Sequence, residues 1–404
     1  MDQITLRSRL RGRRVGRPAC ARRAALAHAF ARTFALSSSF AITFAITFAL
    51  SVAPGSAAWA QASGTQASDS PAPGSQTTAS PAQGAIGDAA AASTPAAADR
   101  THALERALAS VVGVDTVAIE DAGSVATLGA ERQGSGVVIG SDGLVLTIGY
   151  LILEADHVDL KLDDGRVVPA RVVAYDLATG FGLLQALAPL GTDPVPLGSA
   201  DAVERDAQLL VVSGGDEGAY SVARMVSRRP FSGYWEYHID GALFTAPART
   251  DHSGAGLFNA DGELLGIGSL IVGDALGTGD GPRGNMFVPI DLLKPVLAEL
   301  RERGSSRASR RAWLGVNCVV LDGAVRVLRV TASGPAADAG LETGDEIVAI
   351  DGVAVHDLAS FYRTLWQRDA ERDVLLDIRR RGLAQRVTVH SQDRLKTLRQ
   401  PQGV

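Results

Sequence analysis

Short apolar segments, each bounded by glycine, aspartate or proline, fill the central part of the chain from about residue 117 to residue 288. Residues 158–162 alternate apolar and polar side chains with a period of two, and the turn sequence 163–166 follows them. Because such alternation is typical of half-buried strands, and turn residues recur between the segments, this region is predicted to be a β-barrel or β-sandwich. Further apolar runs of this kind cover 208–213, 242–246 and 264–272.

The chain is predicted to contain two compact domains. The first covers 101–303, begins with a short helix near 102–112 and ends with a helix that stops at Gly304. A polar, basic linker, 304–311, separates it from a second domain at 312–393. Residues 394–404 are predicted to be a frayed tail.

The N-terminal 60 residues have the order of an export signal. A segment rich in arginine precedes an apolar run at about 33–53, and the small-x-small triplet 58–60 follows it. We expect cleavage after Ala60 and a periplasmic mature protein; the alternative is an uncleaved membrane anchor. Residues 61–100 are mostly Ala, Ser, Pro, Gly, Thr and Gln, a composition that predicts a disordered linker.

The charge of the chain is distributed unevenly. The nine arginines and the single acid of residues 1–60 contribute +8 to a formal net charge of −5, so the rest of the chain carries −13. An acidic mature chain repels phosphates, which argues against nonspecific nucleic-acid binding.

The cysteines exclude an intrachain disulfide after signal removal. Cys20 lies in the predicted signal and Cys318 is the other cysteine of the chain. Because Cys318 is flanked by valines, we expect a buried structural thiol. No His or Cys cluster has metal-ligand spacing, so neither a metal nor another cofactor is predicted.

Three sequence stretches in order carry a family resemblance. A strand, glycine turn and second strand occupy 134–147, a continuing sheet occupies 165–176, and a glycine-rich loop between strands occupies 251–267. Together they resemble the trypsin-like domain of HtrA/Deg proteases. The resemblance implies two packed six-stranded β-barrels with the catalytic groups at their junction, and thus a mainly β fold.

The resemblance also implies a catalytic Ser–His–Asp triad, but most of its positions are changed. Tyr150 stands at the histidine position, and a phenol is a poor base at neutral pH. Gly180 stands at the aspartate position and offers no carboxylate. Ser253 remains as the candidate nucleophile, while Asp251 replaces the glycine whose backbone N–H lines the oxyanion hole.

Substitute bases are one alternative. His252 adjoins Ser253, His157 lies in an alternating strand, and His238 lies in the segment 234–240 that also holds acids. Any of them could serve an improvised triad; the other interpretation is that all three are solvated or structural histidines.

The second domain closely resembles a PDZ domain of the bacterial protease type. The resemblance rests mainly on 333–352, where a helix begins at a proline, a glycine ends it, and Gly344-Asp345 turns into an Ile-rich strand. It implies a carboxylate-binding loop at 313–316 and a partner peptide adding a strand beside 325–330. The residues assigned to peptide binding are Trp313, Leu314, Gly315, Val316, Val325, Val327, Leu358 and Phe361; their alternative role is ordinary core packing.

Three functions follow as hypotheses. The first is a periplasmic, catalytically impaired HtrA-like protein that binds unfolded or C-terminal peptide segments as an adaptor or chaperone in envelope quality control. The second is an active serine endopeptidase that uses Ser253 with a non-standard base, and the third is a PDZ adaptor with an inert barrel. The oligomeric state is left open, and a homo-oligomer is one alternative. Proteins of the family form trimers through aromatic residues near the start of the domain, but no aromatic residue occurs between Trp59 and Tyr150 here.

Overall fold

The computed structural model describes residues 95–216 and 218–399. The predicted export signal at 1–60 and most of the predicted linker at 61–100 lie outside these residues. Within the described part of the chain, every helix is too short or too polar to cross a membrane.

A closed six-stranded barrel forms the first half of the N-terminal domain. It follows helix α1 (Pro95–Ala109), which starts and ends earlier than the predicted helix at 102–112. Val111 and Val112 are instead the first residues of β1 and are buried there. The hydrogen-bonding order is β1-β2-β3-β6-β5-β4, and β4 pairs again with β1. The strands are β1 (Val111–Ala118), β2 (Glu131–Val138), β3 (Leu144–Ile148), β4 (Ala155–Lys161), β5 (Val167–Tyr175) and β6 (Phe181–Ala186), with the short helices α2 (Val125–Leu128) and α3 (Gly149–Ile152) between them.

A second closed barrel follows, with the order β10-β11-β12-β9-β8-β7. One apolar cluster runs through the interiors of both barrels, so the two pack as one domain. The strands are β7 (Gln208–Val212), β8 (Tyr220–Gly233), β9 (Tyr237–Ala246), β10 (Gly256–Phe258), β11 (Leu264–Val272) and β12 (Gly284–Pro289), with 3₁₀ turns at Ala200–Ala202 and Ile290–Leu292. The long β8–β9 hairpin extends beyond the barrel toward the C-terminal domain.

The segment between the domains is packed against the first barrel. Helix α4 (Leu297–Arg303) ends at Gly304, which has φ 76° and donates its N–H to the Leu300 carbonyl. After it, a 3₁₀ turn (Arg307–Ser309) places buried hydroxyls of Ser306 and Ser309 against the buried carboxylate of Asp176, and both donate to it. The polar composition of 304–311 therefore serves a buried hydrogen-bond network.

The C-terminal domain is a sheet with two helices and its own apolar core. The sheet order is β14-β15-β16-β18-β19, β17 pairs with β16, and β13 pairs separately with β20. Its strands are β13 (Ala312–Trp313), β14 (Val316–Leu321), β15 (Ala324–Val330), β16 (Glu346–Ile350), β17 (Val353–Ala354), β18 (Asp373–Arg380), β19 (Leu383–His390) and β20 (Gln392–Asp393), and its helices are α5 (Pro335–Asp338) and α6 (Leu358–Leu365). Asp357 caps α6 by accepting the Ser360 N–H in a capping box. Cys318 is fully buried in this core, which confirms the expected structural thiol.

Two sequence expectations about this domain are wrong. Strand β15 is paired with β14 on one side and with the start of β16 on the other. The edge strands of the sheet are β14 and β19, so the edge that follows the 313–316 loop belongs to β14 and not to 325–330. The start of the supposed frayed tail is also ordered: a 3₁₀ turn covers Arg394–Thr397, and the Arg399 N–H donates to the carboxylate of Glu154 at 2.9 Å. Residues 400–404 lie outside the described residues.

The predicted mainly β fold is confirmed: two closed six-stranded barrels pack as one domain, and a smaller sheet domain follows them. Period-two patterns are typical of strands that bury one face, as in β4, where Val158 and Leu160 are buried and Asp159 and Lys161 are partly exposed. Strands β3, β10 and β12 are buried along their whole length, so alternation does not mark them.

Candidate functional site

The junction of the two barrels brings Tyr150 and Ser253 together. Tyr150 lies in α3, immediately after β3 of the first barrel, and Ser253 lies in the loop before β10 of the second. The Tyr150 hydroxyl is 2.8 Å from the Ser253 Oγ and 2.8 Å from the Ser269 carbonyl oxygen. A phenol has one hydrogen and a carbonyl can only accept, so when Tyr150 donates to Ser269, the Ser253 hydroxyl donates to the phenol oxygen.

Tyr150 is held in its neutral form. Burial raises its pKa to about 12, and the hydrogen bond with Ser253 offsets only part of that effect. A neutral phenol accepts a hydrogen bond but does not remove a proton from serine at neutral pH. Tyr150 therefore contacts Ser253 as a neutral hydrogen-bond partner.

The space beside Gly180 is filled by another residue. Gly180 has φ +83°, and a Cβ on it would stand 2.9 Å from the Tyr237 hydroxyl. Tyr237 donates that hydroxyl to the Thr179 carbonyl at 2.7 Å, and the Gly180 carbonyl accepts the Gly149 N–H, also at 2.7 Å. A carboxylate at position 180 would meet both a strained backbone and an occupied site.

The Asp251 carboxylate forms an ion pair with Arg249. Its carboxylate accepts hydrogen bonds from Arg249 and from the Ser213 hydroxyl. Burial opposes ionisation, but these bonds and the guanidinium charge hold the pKa of Asp251 below its usual range. Arg249 thus offsets the charge that the sequence placed near the oxyanion hole.

The loop that carries Ser253 is fixed by close backbone contacts. The Ser253 carbonyl accepts the Ser135 N–H at 2.9 Å, and the Gly254 N–H donates to the Gly268 carbonyl at 2.9 Å. Gly254 has φ +74°, and a Cβ there would lie 1.9 Å from the Ser135 carbonyl oxygen, so only glycine fits. The backbone at Ser253 is therefore held between β2 of the first barrel and β11 of the second.

Each of the candidate histidines is engaged elsewhere, and none in the described part of the chain hydrogen-bonds the Ser253 Oγ. His157 pairs with Asp159 on the surface, and the His252 Nδ1 lies 3.1 Å from the Thr250 carbonyl. The His238 Nδ1 lies 2.8 Å from the Ser232 hydroxyl, and burial lowers the pKa of His238. These contacts match the structural interpretation of all three.

The peptide-binding residues expected in the PDZ domain fall into two sets. Gly315, with φ +79°, lets the 313–316 loop turn its N–H groups outward, and Trp313 packs beneath the Arg394 guanidinium, 4.6 Å from its ring centre. Leu358 is partly buried beside the core. The remaining side chains lie within the apolar core, and their lining of a peptide pocket stays a prediction: Leu314, Val316, Val325, Val327 and Phe361.

The N–H groups of the 313–316 loop are already occupied. Glu236, at the tip of the β8–β9 hairpin, accepts hydrogen bonds from Leu314, Gly315 and Val316. The sequence had indicated 234–240 only as a possible acid–base segment and did not reveal this contact. Among the described residues no group of three potential metal ligands occurs.

Two family models match the chain. The trypsin-like peptidase domain model matches 134–267, and the PDZ domain model matches 312–390. Both ranges agree with the two domains seen in the structure.

Several known proteins are similar. A probable periplasmic serine endoprotease DegP-like protein of Halomonas elongata is 28% identical over 63% of this chain and 55% of its own length. A second protein of the same description, from Pseudomonas fulva, is 29% identical over 55% of this chain and 48% of its own length. The putative serine protease HhoA of Synechocystis is 26% identical over 61% of this chain and 67% of its own. The chain spans about half the length of the first two relatives.

A solved structure supports the fold. A variant of the HtrA-type protease AlgW, determined with a tripeptide, superimposes with a TM-score of 0.50 at 21% identity, covering 75% of this chain and 98% of that one. With both domains matched in the same order, the chain is an HtrA-type protein, a trypsin-like peptidase domain followed by a C-terminal PDZ domain.

Proposed function

We propose that this chain is a periplasmic HtrA-type protein that no longer cleaves peptide bonds and instead binds polypeptide segments, including protein C-termini, through its PDZ domain. Its role would be that of an adaptor or chaperone in envelope protein quality control. The export-signal pattern of 1–60 and the periplasmic descriptions of two relatives support the location.

The observation that carries the proposal is the hydrogen bond between Tyr150 and Ser253. Serine attacks a carbonyl only when a base takes its proton, and the partner of Ser253 is a phenol whose pKa burial raises to about 12. Loss of one triad member already leaves only about 10³–10⁴-fold catalysis over water. Here the histidine and the aspartate positions are both changed, and Tyr237 fills the space beside Gly180.

The retained PDZ domain supports the binding role. A match to the PDZ model covers 312–390, and such domains capture a peptide by backbone hydrogen bonds at a sheet edge and at a carboxylate-binding loop. Strand β14 is the edge strand that follows the 313–316 loop, so both elements are present in the order that this mode of recognition needs.

Serine-directed labelling tests the loss of activity. The full chain and Ser253→Ala are treated with a fluorescent fluorophosphonate, with an active trypsin as a positive control, and casein cleavage is followed in parallel. We expect no labelling and no cleavage in either chain. Labelling of the natural chain that disappears in Ser253→Ala would overturn the proposal in favour of an endopeptidase with a non-standard base.

Peptide titration tests the binding role. A fluorescein-labelled peptide of Gly and Ser residues ending in Leu-Val is compared with the same peptide carrying a C-terminal amide. We expect saturable binding, weakened by amidation because the loop N–H groups then lose a charged acceptor. Equal binding of both forms would exclude recognition of C-termini.

A further inference from the structure

The tip of the β8–β9 hairpin lies in the groove of the PDZ domain. The hairpin belongs to the second barrel, and its three tip residues, 234–236, connect Gly233 at the end of β8 to Tyr237 at the start of β9. The groove is bounded by edge strand β14, by helix α6 and by the loop at 313–316. These are the elements between which a PDZ domain accepts an extended peptide.

The carboxylate of Glu236 takes the position of a peptide's terminal carboxylate. One oxygen accepts the N–H groups of Gly315 at 2.8 Å and Val316 at 2.9 Å, and the other lies 3.2 Å from the Leu314 nitrogen. Three consecutive backbone N–H groups converging on one acidic group form the anion-binding arrangement that a C-terminus requires.

The hairpin also bonds to the sheet edge. The Cys318 N–H of β14 donates to the Tyr234 carbonyl at 2.9 Å. A backbone bond from β14 to a carbonyl near the captured acid is the first step of strand addition. The hairpin thus engages the free edge and the loop together.

Helix α6 completes the contact through Tyr362. The Tyr362 hydroxyl donates to the Gly233 carbonyl at 2.7 Å and accepts the Glu236 N–H at 3.1 Å, so it bonds to the backbone on both sides of the tip. Glu236 has φ 60°, a left-handed conformation that costs about 1 kcal/mol for a side-chain-bearing residue and persists where surrounding contacts hold it. Outside the groove, Arg363 of the same helix pairs with Asp240 of β9.

We propose that the hairpin tip is an internal ligand of the PDZ domain, with the Glu236 side chain in place of a terminal carboxylate, so that external C-terminal peptides bind only after the tip leaves the groove. This inference rests on the proposed peptide-binding function. Because the tip is tethered, its effective concentration at the groove is on the order of millimolar, and a peptide must compete with it. The apparent affinity for peptide is the affinity of the open groove multiplied by the fraction of molecules in which the groove is open.

Glu236→Ala tests the inference on the full chain. The variant removes the internal carboxylate, and we expect it to bind the fluorescein-labelled Leu-Val peptide about 10- to 100-fold more tightly than the natural chain. Hydrogen exchange gives an independent measurement: the amides of Leu314, Gly315, Val316 and Cys318 should exchange faster in the variant without peptide. Asp280→Ala is the control, since it removes an exposed carboxylate of the second barrel that is bonded to Thr278 and leaves the loop N–H groups occupied.

The outcomes separate the two proposals. Equal peptide affinity of the natural chain and Glu236→Ala would overturn the internal ligand and leave the binding function intact. Faster amide exchange in Glu236→Ala, with no peptide binding by either chain, would mean that the contact only holds the two domains together. That result would overturn both the internal ligand and the peptide-binding function. Tighter binding in Asp280→Ala equal to that in Glu236→Ala would also overturn the specific role of Glu236.

Discussion

Gly180 and Tyr237 fit against each other because residue 180 has no side chain. A Cβ on Gly180 would stand 2.9 Å from the Tyr237 hydroxyl and 3.4 Å from two atoms of its ring. The ring is buried, and its hydroxyl is bound to the Thr179 carbonyl. Tyr237 thus takes the space that a carboxylate at 180 would need, so the identities of residues 180 and 237 depend on each other.

Restoring the two missing triad side chains should not restore activity. Tyr150→His with Gly180→Asp supplies both residue types, but an aspartate at 180 must displace Tyr237 and adopt a positive φ, at a cost of about 1–3 kcal/mol. We expect no fluorophosphonate labelling of Ser253 and a lower free energy of unfolding in urea. Tyr150→His alone is the control. Labelling of the double variant at natural stability would contradict the interdependence of Gly180 and Tyr237.

Tyr150 is expected to act as a structural residue. Tyr150→Phe keeps the ring and removes the hydroxyl that lies 2.8 Å from both the Ser253 Oγ and the Ser269 carbonyl. A buried acceptor left unpaired costs about 1–3 kcal/mol, so the variant should unfold at lower urea concentration. If Tyr150→Phe equals the natural chain in stability, the hydroxyl has no structural role.

Asp176 should hold the interdomain segment in place. Its buried carboxylate accepts from Thr179 and from the hydroxyls of Ser306 and Ser309, so Asp176→Ala leaves several buried donors unpaired. We expect a loss of roughly 3 kcal/mol and faster trypsin cleavage after Arg307 or Arg310. Ser306→Ala removes a single donor and should show a smaller effect. Unchanged cleavage in Asp176→Ala would mean that other contacts fix the segment.

The Asp251–Arg249 pair should make stability depend on acid pH. The pKa of Asp251 lies below its usual value in the folded chain, so the ionised carboxylate stabilises the fold at neutral pH. That contribution is lost as the pH falls below about 4 and through the folded-state pKa. Asp251→Asn should therefore be less stable than the natural chain at pH 7, with the difference closing toward pH 3. Urea unfolding at several pH values measures this, and a difference independent of pH would contradict it.

The sequence predicted the strands well because their signals are local. Apolar runs bounded by turn residues indicate strands, as at 264–272, where the structure has β11 over the same residues. The capping aspartate at 357 acts on the first turn of its own helix, so it could also be inferred from the neighbouring sequence. The pairing of β15 on both of its sides could not be predicted in this way, because strand pairing joins residues far apart in the chain.

The sequence by itself determined the pair of domains and the residue types at the positions that the family resemblance assigns to the triad, since both follow from patterns and residue types along the chain. Only the tertiary structure decided what those residues contact. The Tyr150 hydroxyl is hydrogen-bonded to Ser253, which lies 103 positions later in the chain. Tyr237 fills the space beside Gly180. Glu236 accepts N–H groups of the PDZ loop, nearly 80 positions later in the chain. Such contacts depend on how the barrels and the PDZ domain pack, and side-chain pairing at that distance leaves no periodic signal in the sequence.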